Sequence, residues 1–91
     1  MPETTEQLVR RICREEEVDE NVVVAVLKCE SGLNPKAVHK NKNGTVDYGV
    51  AQYNSKWYID SGLITLEDAL NPEKAVRLMC KQIKKGRLKD W

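Results

Sequence analysis

The sequence predicts one small, mainly α domain: a helical bundle around a buried central helix, with a small β-hairpin set beside it. Three observations lead there. Charged residues are plentiful while Gly and Pro are scarce, which describes an ordered helical globule and not a disordered chain. Apolar residues recur at helical spacing in three separate segments. One Asn43-Gly44 pair, flanked by short arms, gives the only strong hairpin signal. At 91 residues the chain has room for a single modest core, so residues 1–91 read as one domain.

Composition excludes several classes. A formal net charge of +1 is not that of a strongly basic nucleic-acid binder. No apolar stretch approaches the roughly 18 to 20 residues that span a bilayer. The start, Met1-Pro2-Glu3-Thr4-Thr5-Glu6, is polar and acidic, without the basic and apolar regions of a signal peptide. The expectation is therefore no classical secretion of this form. The three cysteines, Cys13, Cys29 and Cys80, lack metal-ligand spacing, so no metal is expected. They read as three small buried hydrophobes, with one bridge plus one free thiol left open.

In chain order, Thr4 and Gln7 fit a capping box, and Leu8, Val9, Ile12 and Cys13 mark the inner face of a helix over 5–17. The run Glu15-Glu16-Glu17 opposes the helix dipole, so it reads as a solvated face near the helix end. Asp19 caps a second helix, with Val18 and Val23 placed as a hydrophobic staple. β-Branched Val22, Val23, Val24 and Val26 favour a strand locally. The cap, the extension through Leu27-Lys28-Cys29-Glu30 and a stop at Gly32 favour a helix. Being apolar nearly all round, it is expected to be the central one. Asn34-Pro35 ends it, and residues 38–40 and 45–48 form the hairpin arms. Gly49 lets the backbone pass close to a neighbour. Asn54-Ser55 caps a short helix carrying Trp57, Tyr58 and Ile59, with Trp57 read as core. A helical turn over 65–70 follows. Asn71-Pro72-Glu73 then opens a last helix with Ala75, Val76, Met79, Cys80 and Ile83 inward and Gly86 as its stop. Leu88 and Trp91 are expected to fold back onto the core.

Two places look chemical. Glu30 sits in the last turn of an apolar helix. Partial burial and the negative end of the helix dipole both disfavour its ionised form, and a carboxylic acid still protonated near neutrality can protonate a leaving-group oxygen. The bland alternative is an exposed helix-end glutamate. Downstream, Asp47, Gln52, Tyr53 and Asn54 alternate polar groups on a turn, suited either to sugar hydroxyls or to bonding their own backbone.

Glu30-Ser31-Gly32-Leu33-Asn34-Pro35, then Asp47-Tyr48-Gly49-Val50-Ala51-Gln52-Tyr53-Asn54, then Asn71-Pro72-Glu73 resembles the lysozyme-like lytic transglycosylase family, in particular its small phage- and secretion-associated members. In that family a Glu-Ser-x-x-Asn-Pro segment precedes Gly-Leu-x-Gln-Ile-Asn and a proline-led helix. The order and rough spacing match over residues 20–85. The resemblance implies a lysozyme-like α+β fold with the hairpin beside a cleft, and cleavage of the β-1,4 bond between N-acetylmuramic acid and N-acetylglucosamine in peptidoglycan. It implies Glu30 as the catalytic acid/base, Ser31 as support, and Asp47, Tyr48, Gly49, Gln52, Tyr53 and Asn54 along the substrate cleft. No cofactor is implied.

With Glu30 as sole carboxyl group, attack by the muramoyl 6-hydroxyl would leave 1,6-anhydro ends. With Asp47 across the cleft, ordinary hydrolysis becomes available. The implied partner is peptidoglycan glycan, met by a monomer at the bacterial wall after release by phage or specialised export. Val50-Ala51 and Tyr53 replace the family's usual Leu-Met or Leu-Phe and Ile. The family's late Ala-Tyr-Asn-x-Gly segment has no counterpart before Trp91. That leaves open a truncated chain, a minimal form, or substitution of the late tyrosine by Tyr48 or Tyr53. The alternative function is a non-catalytic glycan-binding or structural module on the same fold.

Overall fold

A computed structural model describes residues 2–91. Its elements run α1 (Thr5–Glu15), α2 (Glu20–Ser31), β1 (Val38–Lys40), β2 (Val46–Tyr48), β3 (Tyr53–Asn54), a π-helical turn (Ser55–Asp60), α3 (Leu66–Ala69), α4 (Pro72–Lys84) and a closing 3-10 turn (Leu88–Asp90). This is the mainly α fold with a small antiparallel sheet that the sequence predicts.

The caps explain the boundaries. The Thr4 hydroxyl accepts from the Gln7 amide at 3.1 Å, and the Gln7 side chain accepts from the Thr4 amide at 2.9 Å, completing the capping box. The Asp19 carboxylate accepts from the amides of Asn21 and Val22 to start α2. Gly32, at φ +65°, ends α2 in a left-handed C-cap. Asn71 and Pro72 open α4 as expected, the Asn71 side chain accepting from the Lys74 amide. The first helix stops at Glu15, two residues short of the expected end, because Glu17 turns to φ +59°.

Several packing expectations need correction. The second helix is not the all-round buried one: Val23, Val24 and Leu27 are buried, while Val22 is 39% exposed, Ala25 faces outward, and Cys29, expected as a buried hydrophobe like Cys13 and Cys80, is exposed. The middle position belongs to α1, which packs on both α2 and α4. Its acidic C-terminal run is also not merely solvated. Glu15 and Glu16 pair with Arg77, and Glu16 also pairs with Lys84, so the run that opposes the α1 dipole fastens α1 to α4.

The hairpin is as predicted, with β1 and β2 antiparallel and His39 opposite Asp47. A third strand, β3, adds to β2 with Asp47 opposite Asn54. The turn between β2 and β3 enters the core, where Val50, Ala51 and Tyr53 are fully buried. Gly49 sits at φ +80°, and a Cβ there would lie 1.9 Å from the Ala69 carbonyl oxygen, so the close approach expected at this glycine is to α3. Trp57, expected in the core, is 65% exposed, with the Lys56 ammonium 5.1 Å from its ring centroid. Leu88 stays 38% exposed, but Trp91 does fold back, its indole donating to the Ala51 carbonyl at 3.0 Å.

Candidate active site

The last turn of α2 and the three-stranded sheet face each other across a cleft of about 510 Å³. Glu30, Ser31, Ala37, Val38, His39, Asn41, Asp47 and Gln52 line it. Helix and sheet are joined directly: the Ser31 hydroxyl donates to the Val50 carbonyl at 2.7 Å, tying the helix end to the buried turn. The Ser31 bond thus fastens the helix end that carries Glu30.

Glu30 is an exposed residue on the cleft rim whose carboxyl group is nonetheless partly stripped of water. That loss of hydration, and then the charge of Asp47, hold its pKa above the usual carboxylate range. On its other side Glu30 borders a second hollow of about 410 Å³, shared with Ala25, Val26, Cys29 and Trp91. The exposed apolar face of α2 and the returning Trp91 therefore supply apolar surroundings on the side away from the sheet.

Asp47 is held by its neighbour on β3. The Asn54 amide donates to the Asp47 carboxylate at 2.9 Å and to the Thr45 hydroxyl at 3.1 Å, while the Asn54 side-chain oxygen caps the turn that follows. Asn54 works behind the site, aiming Asp47. Gln52, at φ +56°, donates to the carbonyls of Gly49 and Ala37 and lines the floor. Tyr53 faces inward: its ring is fully buried and its hydroxyl donates to the Ala75 carbonyl at 2.6 Å, leaving it no face for a sugar. Tyr48 is half-buried against the core, and Gly49 shapes the turn. Of the residues singled out in the sequence, the cleft thus gathers Glu30, Ser31, Asp47 and Gln52, with Asn54 as their brace.

Sequence reasoning missed His39, Asn41 and Trp91. His39 was legible only through the hairpin register, which sets it directly across from Asp47 on the cleft-bearing sheet. Asn41 belongs to the hairpin loop, its amide donating to Thr45. Trp91 bordering Glu30 depends on the fold of residues 86–91, which no local signal specifies. Among the described residues, no group of three or more His, Cys, Asp or Glu side chains could hold a metal ion, and no helix is long and apolar enough to cross a membrane.

A small α+β domain that brings Glu30, on a helix end, and Asp47, on a sheet, to one open cleft presents two carboxyl groups of the kind glycosidases use. The family comparison is more specific. The model for the transglycosylase SLT domain matches residues 7–87, and the chain belongs to that family. Among curated proteins, the chain is similar to Lysozyme C-1 of Anas platyrhynchos, 44% identical over 39 residues. It is also similar to Lysozyme c-1 of Anopheles gambiae, 46% identical over 39 residues, and Lysozyme C of Scophthalmus maximus, 41% over the same length. Each match covers 43% of this chain and 26%, 28% and 27% of the respective relative, so the likeness spans about a quarter of those proteins.

Proposed function

We propose that this domain cleaves the β-1,4 bond between N-acetylmuramic acid and N-acetylglucosamine in peptidoglycan, with Glu30 as general acid. The observation that carries the reading is the pairing of Glu30 and Asp47 on one cleft, with the Glu30 pKa raised by lost hydration and by the Asp47 charge. Family membership and the lysozyme matches supply the substrate class.

In the mechanism, protonated Glu30 gives its proton to the departing glycosidic oxygen. The positive charge that develops on the sugar ring is stabilised by the Asp47 carboxylate, which Asn54 holds in place. Glu30, now ionised, takes a proton from the incoming hydroxyl. With Glu30 as the sole acid/base that hydroxyl is the muramoyl 6-hydroxyl, and the product is a 1,6-anhydro end. The presence of Asp47 in the cleft favours a second reading, in which water enters and reducing ends result. Asp47 would then act as nucleophile or as charge stabiliser, according to its separation from Glu30 across the bound sugar.

Digestion of purified sacculi with mass analysis of the products tests activity and route together. Soluble muropeptides are expected, and those with reducing ends are heavier by one water than their anhydro counterparts. Sedimentation with sacculi without clearing them would instead mark a glycan-binding module. The domain is proposed to act as a monomer at the bacterial cell wall, without cofactor or metal.

A further inference from the structure

Away from the cleft, two cysteines meet inside the seam between α1 and α4. Cys13 and Cys80 are each fully buried, 67 positions apart in sequence, with their Sγ atoms 3.9 Å apart. The seam is pinned on either side of them: on α4, Arg77 and Lys84 flank Cys80 and both reach Glu16, three residues after Cys13. The third cysteine, Cys29, is exposed on α2 and belongs to the face that borders Glu30. We propose that Cys13 and Cys80 form an intramolecular disulfide, tying α1 to α4, when the chain folds in the presence of a small disulfide oxidant, and that Cys29 remains free.

The geometry asks little of the fold. A bonded pair sits at about 2.05 Å, so the sulfurs must close a gap of less than about 2 Å, shared between two side chains on helices already in contact. Chemically, the step is thiol–disulfide exchange. The Cys80 thiolate attacks one sulfur of the oxidant and expels its partner thiolate. The Cys13 thiolate then attacks the Cys80 sulfur of the mixed disulfide and expels the second. Two protein thiols are oxidised, one oxidant disulfide is reduced to two thiols, and the two protons released by the protein thiols are taken up by the departing thiolates. The order is immaterial to the product, since attack by Cys13 first and Cys80 second closes the same bond.

Burial sets the timing. With both sulfurs inaccessible in the folded state, exchange occurs while the chain is folding or when the α1–α4 seam opens. The alternative is that the pair serves only as two small apolar fillers.

The test is refolding from denaturant with oxidised glutathione, followed by acid quench, thiol counting under denaturing conditions, peptide mapping and thermal melting. The inference expects free thiols to fall from three to one, a loss of two hydrogens in mass, and a peptide joining Cys13 to Cys80. Closing so long a loop should raise Tm by roughly 10 °C or more, reversibly on reduction. Cys13→Ala should retain both remaining thiols and show no oxidant-dependent shift. Three thiols persisting in the refolded wild type would overturn the inference, as would oxidation confined to Cys29 as a glutathione adduct or an intermolecular dimer.

Discussion

In the proposed reaction Glu30 carries the proton, and its titration connects structure to rate. A folded-state pKa raised above the unfolded value means that stability is fully present below the unfolded value and is lost as pH rises through the folded one. Ionised Glu30 is therefore a liability to the fold near neutrality. Glu30→Gln should melt no lower than wild type at pH 7, by calorimetry, while losing nearly all muropeptide release. Asp47→Asn removes the negative charge that helps hold Glu30 up, so the Glu30 pKa should fall. Because the proposed mechanism uses the protonated form as the acid, the alkaline limb of the pH–rate profile should move to lower pH; an unmoved limb would mean that Asp47 does not influence Glu30. The sequence made Glu30 legible through its place at a helix end and through motif order. It did not reveal that Asp47 and His39 share a face, since that depends on a register set by the turn at Asn43-Gly44.

The elements each carry one constraint that can be broken singly. The turn between β2 and β3 is wedged beneath α3 at Gly49, where a side chain has neither space nor a comfortable φ. Gly49→Ala should cost about 3 kcal/mol or more in a denaturant melt, from backbone strain and collision with the Ala69 carbonyl. Tyr53 pins the same turn to α4 through its buried hydroxyl, and Tyr53→Phe should lose about 1 to 2 kcal/mol with the cleft chemistry intact. Tyr53 also shows why motif position misleads about role. An alternating Gln-Tyr-Asn run reads as three polar groups on a turn, but a strand places alternate residues on opposite faces. Tyr53, in β3, enters the core beside the half-buried Asn54, while Gln52, before the strand at φ +56°, faces the cleft. Helix starts were legible because caps are local chemistry, as at Thr4, Asp19 and Asn71. The burial of α2 was not, since four valines do not say which face a neighbour will cover.

At the scale of the molecule, the three long helices supply a back and the small sheet a front, with Glu30 where they meet. The returning Trp91 completes the surroundings of Glu30 from the far end of the chain. Trp91→Ala should re-expose this side of the carboxyl group to water, lower the Glu30 pKa and shift the alkaline limb of activity to lower pH, on top of any loss of stability. The bundle with its hairpin was predictable from periodicity and caps, because those signals repeat over many residues. The arrangement that makes a site of it was not, because it rests on contacts between residues far apart, such as Ser31 with Val50 and Trp91 with Ala51. The measurement that bears most directly on the whole account is digestion of purified sacculi by wild type and by Glu30→Gln at matched concentration, with products resolved by mass. The account predicts soluble muropeptides from the wild type and nearly none from the variant. Equal release by the folded variant, or a wild type that binds sacculi without releasing fragments, would contradict it.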